Sequence, residues 1–98
     1  MSDSLRAWGE AVRRRAGNRC EVCGKGPGPD HDLEAAHVLS RDAHPALRDE
    51  IRNGILLGRR CHRELDGDRK GRLWPWVESK WPGLLDALRE IEREKMLA

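Results

Sequence analysis

His62 and Asp66 stand four residues apart in a segment patterned as a helix, so both side chains point to one side and together can grip a single divalent cation. Upstream, Cys20-x-x-Cys23 has a loop spacing that suits a metal better than a disulfide framework, and Cys61, just before His62, brings the cysteine count to an odd three. That usage sets the expectation of a reducing, cytoplasmic compartment. Taken singly, the other candidates say little. A histidine at the end of a short apolar run, such as His37, is usually a satisfied structural residue, and Asn53-Gly54 is usually a turn. Their joint order is harder to obtain by accident: a strand histidine, a loop asparagine, then a helix histidine directly after a cysteine that can join the upstream pair.

Periodicity predicts the elements that must carry these residues. Leu5, Trp8, Val12 and Ala16 recur at three- and four-residue steps and predict a first helix over 1–17, stopped by Gly17, with Arg13, Arg14 and Arg15 mostly off its apolar stripe. Cys20 to Asp32 is dense in Gly, Pro and Asp, which fits a knuckle followed by a loop. Leu33 to Leu39 reads as a short strand, Pro45 opens a helical turn over Ala46 to Arg52, and Asn53-Gly54 reverses the chain into a second strand, Ile55-Leu56-Leu57. A helix runs from Cys61 until Gly67 and Gly71 end it. Pro75 and Pro82 mark two further helix starts, and Leu84, Leu85, Leu88, Ile91 and Met96 form the apolar stripe of an amphipathic C-terminal helix.

A chain of 98 residues leaves room for one domain, 1–98, made of the N-terminal helix (1–17), a core (20–72) and a C-terminal helical extension (74–98). With 38% hydrophobic and 37% charged residues and no Phe or Tyr, the apolar stock is thin, so a further staple is expected and Trp74, Trp76 and Trp81 read as the core's large pieces. No aliphatic run exceeds Ile55-Leu56-Leu57, which speaks against a membrane-spanning helix, and Met1 to Ser4 begins no signal peptide. The net charge of +2 is uneven: basic stretches over 1–19 and 59–72 flank an acidic 20–34, an arrangement compatible with a polyanion held around a site.

From Cys20 to about Asp66 the chain resembles the HNH endonucleases, also called His-Me finger or ββα-metal nucleases. The residues that carry the likeness are Leu33-Glu34-Ala35-Ala36-His37-Val38, Asn53-Gly54-Ile55-Leu56-Leu57 and Cys61-His62-Arg63-Glu64-Leu65-Asp66. This resemblance implies an α+β fold, a small ββα-metal core of two antiparallel strands and a helix around one cation, with the N-terminal helix and C-terminal helices added. It implies an enzyme, a phosphodiester hydrolase that cuts DNA. Water must attack in line with the leaving oxygen, so a base is needed on one side and charge neutralisation on the other. His37 matches the general base, Asn53 the residue that steadies loop and base, and His62 a ligand of the catalytic cation. Asp66 is expected as an added ligand, its hard oxygen suiting Mg2+ or Mn2+, while Ni2+ or Zn2+ would favour the imidazole.

Two departures from the family pattern stand out. Many members place a metal ligand immediately before the base, where this chain has Ala36. Zinc-bearing members also pair the first C-x-x-C with a second, and the partner position of Cys61 is Gly58. Cys20, Cys23 and Cys61 then need a fourth ligand for a structural Zn2+, with His31 the first candidate and His44 the second. If zinc is bound, its removal is expected to unfold the domain. A degenerate knuckle without metal, or three thiols acting as small hydrophobes, are the competing readings. Arg41, Arg59, Arg60 and Arg63 are placed to contact phosphates of duplex DNA with weak sequence preference. Against the nuclease stand a non-catalytic zinc-knuckle module that binds DNA or protein, and a structural adaptor whose Trp-rich tail docks elsewhere. A homodimer or a larger complex partner is compatible with all three.

Overall fold

A computed structural model describes residues 3–29, 32–66 and 73–97, with the backbone alone for 3, 65, 66, 73 and 74. Helix α1 (Asp3–Arg15) turns Trp8 and Val12 inward. It closes on paired bonds from Gly17 N–H to the Arg14 carbonyl and from Asn18 N–H to the Arg13 carbonyl, with Gly17 and Asn18 both left-handed. Strands β1 (Leu33–His37) and β2 (Gly54–Gly58) pair antiparallel, with Leu33 opposite Gly58 and His37 opposite Gly54. Helix α2 (Arg59–Asp66) follows β2 directly, and α3 (Leu73–Lys80) and α4 (Leu84–Leu97) complete a small α+β fold.

Strand alternation assigns the two faces of this sheet. Leu33, Ala35 and His37, with Gly54 and Leu56 across from them, look toward α1. Trp8 stacks on His37, and a side chain at Gly9 would meet Ala35. Glu34, Ala36, Ile55 and Leu57 look the other way, where His62 of α2 reaches Glu34. All five residues of β2 are buried. Its outer edge is covered by the knuckle: Glu21 N–H donates to the Leu56 carbonyl at 2.9 Å, and Leu56 N–H donates to Glu21 Oε2 at 2.8 Å. Arg15 ties the end of α1 to the same place, bonding the Ile51 and Gly54 carbonyls and Glu21.

Several local expectations change. Instead of one helical turn over Ala46 to Arg52 there are two 3-10 turns, Pro45–Leu47 and Ile51–Asn53. Asn53-Gly54 does not reverse the chain. Gly54 is extended (φ −115°) and simply begins β2, and it must be glycine because a Cβ there would overlap Val12 Cγ2 and lie 3.0 Å from Trp8 Cζ2. Trp76 and Trp81 pack edge to face against the core, whereas the side chain of Trp74 lies outside the described residues. Of the C-terminal stripe, Leu88 is buried and Leu84, Leu85 and Ile91 pack beside it, but Met96 is 73% exposed, because α4 runs past the 3-10 turns it covers. Among the described residues no helix is long and apolar enough to cross a membrane.

Candidate functional site

His37 ends β1 with its ring held from two sides. The indole of Trp8 lies parallel to it, centroids 4.0 Å apart and planes 5° from parallel, and Nε2 is 2.8 Å from the Arg48 carbonyl oxygen. A carbonyl only accepts, so Nε2 carries the proton and the lone pair of the neutral ring sits on Nδ1. Among the described residues Nδ1 makes no hydrogen bond. Ring plane and tautomer are thus both set, and the nitrogen left as acceptor is the one a base would use.

The carbonyl that fixes His37 belongs to the 38–53 connection, and Asn53 holds that connection in place. Its fully buried carboxamide accepts from Leu39 N–H (2.7 Å) and donates to the carbonyls of Leu39 (3.0 Å) and Leu47 (3.1 Å). The Asn53 carbonyl also takes Val38 N–H at 3.0 Å. Nearby, Trp8 Nε1–H donates to the Glu50 carbonyl at 2.8 Å, so the ring stacked on His37 is anchored to the same loop.

His62 occupies the first turns of α2, and its Nδ1 lies 3.0 Å from Glu34 Oε1. The carboxylate accepts, which places the proton of the neutral ring on Nδ1 and its lone pair on Nε2. Both groups remain accessible, at 33% and 43%. Glu34 stands three residues along β1 from His37, about 10 Å, and on the opposite face. Contact therefore links neither the two histidines nor their partners; Ala36 is the residue of β1 that shares Glu34's face next to His37. The side chains of His31 and Asp66, both expected as ligands, lie outside the described residues.

Cys20, Cys23 and Cys61 do come together. Their sulfurs lie within 4.8 Å of one another and can hold a metal ion such as zinc, since tetrahedral Zn–S bonds of about 2.3 Å set sulfurs about 3.8 Å apart. Cys20 is buried, and Cys23 N–H approaches its sulfur at 3.5 Å. Burial pushes the Cys20 thiol up, but N–H groups of Gly58, Cys23 and Val22 together outweigh it and bring the thiol down to about 7. Burial first, then the neighbouring Cys20 and Cys23, push Cys61 up to about 12. Three thiols this close cannot all ionise unaided; a cation at their centre removes the conflict. Gly58, at the position where a second knuckle would place its cysteine, contributes an N–H instead. Among the described residues the cluster offers three candidate ligands, two from the knuckle and one from the first turn of α2.

The arginines are spread over two settings. Arg59 pairs with Asp32 at 3.0 Å and Arg60 with Glu64 at 3.8 Å, and with Arg63 they line one shallow cleft. Arg41 and Arg63 are exposed and have no ion pair among the described residues. Glu34, Trp8 and the Arg48 carbonyl were not singled out by sequence reasoning. Only the alternation that turns Glu34 and Ala36 to one face gave a signal, and reading it required knowing that α2 covers that face. Compared with known family models, curated proteins and solved structures, the chain matches none.

Proposed function

We propose that this chain is a metal-dependent endonuclease that hydrolyses phosphodiester bonds in DNA, with His37 as general base. The observation that carries the reading is the His37 ring, fixed in plane by Trp8 and in tautomer by the Arg48 carbonyl. Nδ1 makes no hydrogen bond among the described residues, so it can accept a proton from a water beside it. In-line hydrolysis needs the base and the neutralising charge on opposite sides of phosphorus. β1 is an edge strand with His37 on one face and the Glu34–His62 pair on the other, so a phosphodiester crossing that edge would meet both. A divalent cation bound by His62, with Asp66 one helical turn on, would neutralise charge on the departing oxygen. Glu34 keeps His62 in the ligating tautomer, Asn53 keeps the loop that fixes His37, and Arg41, Arg59, Arg60 and Arg63 bind the flanking phosphates. The ββα-metal core belongs to this same reading, with β1, β2 and α2 as its three pieces.

The test is nicking of supercoiled plasmid in Mg2+, Mn2+ or Ni2+, with a chelator control. Metal-dependent nicking should disappear in a folded His37→Ala chain, and Glu34→Gln should lower apparent metal affinity about ten- to a hundredfold, recovered by more metal. A folded wild type that fails to nick in any of these metals refutes the proposal. The cysteine cluster then favours the second reading, a zinc-bound module that binds DNA in a salt-sensitive way without cutting.

A further inference from the structure

A second concavity lies along the outer edge of β2, where α1, the knuckle and the α3–α4 corner meet. It is an open cavity of about 470 Å3 lined by Arg15, Glu21, Arg52, Gly54, Trp81 and Leu84, within the roughly 300–1,000 Å3 usual for small-molecule sites. Its two guanidinium groups are unequal. Arg15 is committed to Glu21 (2.8 Å) and to the Ile51 and Gly54 carbonyls, so its charge is balanced and its position fixed. Arg52 is exposed, and its guanidinium has no hydrogen bond or ion pair among the described residues; the Glu50 carboxylate beside it takes Arg52's backbone N–H instead. The cavity therefore carries one uncompensated positive charge.

The same cavity has an aromatic and aliphatic part to its lining. Trp81 is braced edge to face by Trp76 at 5.6 Å, with Arg15 Cζ 5.8 Å and Lys80 Nζ 5.7 Å from its ring centroid, and Leu84 continues the surface. Lys80 is itself held by the Glu21 carbonyl at 3.1 Å, so the wall is built before any ligand arrives. An aromatic ring held in place and one available guanidinium in a single cavity suit a ligand with a flat apolar body and a single anionic arm. Inorganic phosphate would leave Trp81 and Leu84 unused, and a nucleoside would leave Arg52 unused; a nucleotide uses both. A base stacked in a duplex has no face to offer such a wall, so the nucleotide must be unpaired.

Gly54 gives the cavity its relation to His37. It lines the cavity and is also the cross-strand partner of His37, directly opposite it in the ladder. We propose that this cavity binds one unpaired nucleotide of a nucleic-acid strand, its phosphate on Arg52 and its base against Trp81, beside the ladder position that carries His37. The inference deepens the nuclease reading by naming its substrate class, a strand with a single-stranded or frayed segment, and it rests on that reading only for the link to cleavage.

Binding is tested apart from cutting, by fluorescence anisotropy of the full chain with a labelled single-stranded oligonucleotide and with the matching duplex, without added divalent metal. The single strand should bind more tightly. Arg52→Ala should weaken it about ten- to a hundredfold, as loss of a charge-assisted bond does, while Arg89→Ala, which removes an equal charge from the exposed face of α4, should not. Competition separates the sources: a nucleoside monophosphate should displace the oligonucleotide, and inorganic phosphate at equal concentration should not. Equal effects of Arg52→Ala and Arg89→Ala, equal competition by phosphate, or equal binding of duplex would each overturn the assignment. Plasmid nicking that survives such a result keeps the nuclease and loses the pocket, and binding as described in a chain that never nicks keeps the pocket and loses the nuclease.

Discussion

Replacing Asn53 by Ala removes one carboxamide that serves three backbone groups: Leu39 N–H, the Leu39 carbonyl and the Leu47 carbonyl. Each bond contributes about 1 kcal/mol net, and the buried Leu39 N–H, left without an acceptor, costs up to about 3 kcal/mol alone, so the whole change should cost about 3–5 kcal/mol. For a domain of this size each kcal/mol moves Tm by about 4–8 °C, which puts the expected loss at about 12 °C or more in a circular-dichroism melt. Asn53→Asp separates hydrogen-bond pattern from volume. It is nearly isosteric and keeps the acceptor for Leu39 N–H, but it turns a carboxylate oxygen toward two carbonyl oxygens. At neutral pH it should therefore be at least as destabilising as Ala, and the loss should shrink on acidification, when a protonated carboxyl can donate again. Because the same loop carries the Arg48 carbonyl, the ring 15N spectrum of His37 should also move from a single Nε2–H tautomer toward a mixture. If Asn53→Asp melted within about 3 °C of wild type, less than about 1 kcal/mol, the carboxamide would not be what holds the loop.

The other expectations are more local. Gly54→Ala forces a methyl group into Val12 Cγ2 and toward Trp8 Cζ2, and since Val12 is fully buried and cannot move aside, the variant should lose about 1–3 kcal/mol by denaturant melt; a neutral result would mean α1 can lift off β2 at no cost. Protein purified without chelator should carry zinc that Cys61→Ser diminishes, as measured by elemental analysis. Zinc retention should fall as pH drops from 8 to 6: Cys20, lowered to about 7, is mainly thiolate above that pH and thiol below it, and Cys61, raised to about 12, must yield its proton to the metal throughout this range. Retention that is flat in pH would count against thiolate ligation.

Much of the fold was legible because it follows from one-dimensional patterns. Leu5, Trp8 and Val12 mark α1, the fully apolar Ile55-Leu56-Leu57 after a Gly reads as a buried strand, and Leu84 to Ile91 mark α4. What escaped depends on pairing register. Asn53-Gly54 carries the composition of a turn, yet the glycine is there for lack of space beneath Val12 and Trp8, and the asparagine for its buried carboxamide. That Glu34 meets His62 follows only once β1 is paired with β2 and α2 is laid on the far face. Met96 continues the periodicity of α4 but has nothing to cover, because a stripe read from spacing does not reveal where the partner surface ends. For the site, Cys61 met the Cys20-x-x-Cys23 pair as the family resemblance implied, while the placing of His37 and Glu34, the partner of His62, on two faces was invisible without the register.

That separation has a consequence for the staples this thinly packed domain relies on. With a metal bound, the cysteine cluster would fix the knuckle to the first turn of α2, and His62 is the next residue after Cys61. His37 is held instead by Trp8 and by the Arg48 carbonyl, on a connection that Asn53 secures, and the largest buried aliphatics, Leu47, Ile55, Leu56, Leu57 and Leu88, form a core that needs no metal. Stripping metal from the cysteines should then release α2 and His62 before it disturbs His37, in place of the general unfolding that the sequence led one to expect. Ring resonances of the two histidines during chelator titration distinguish these outcomes. With local release the His62 signals broaden first, and the His37 signals persist until a later, global transition. Simultaneous loss of both would mean that the cluster and the core unfold as one cooperative unit, and the independence argued from the two faces of the sheet would be wrong.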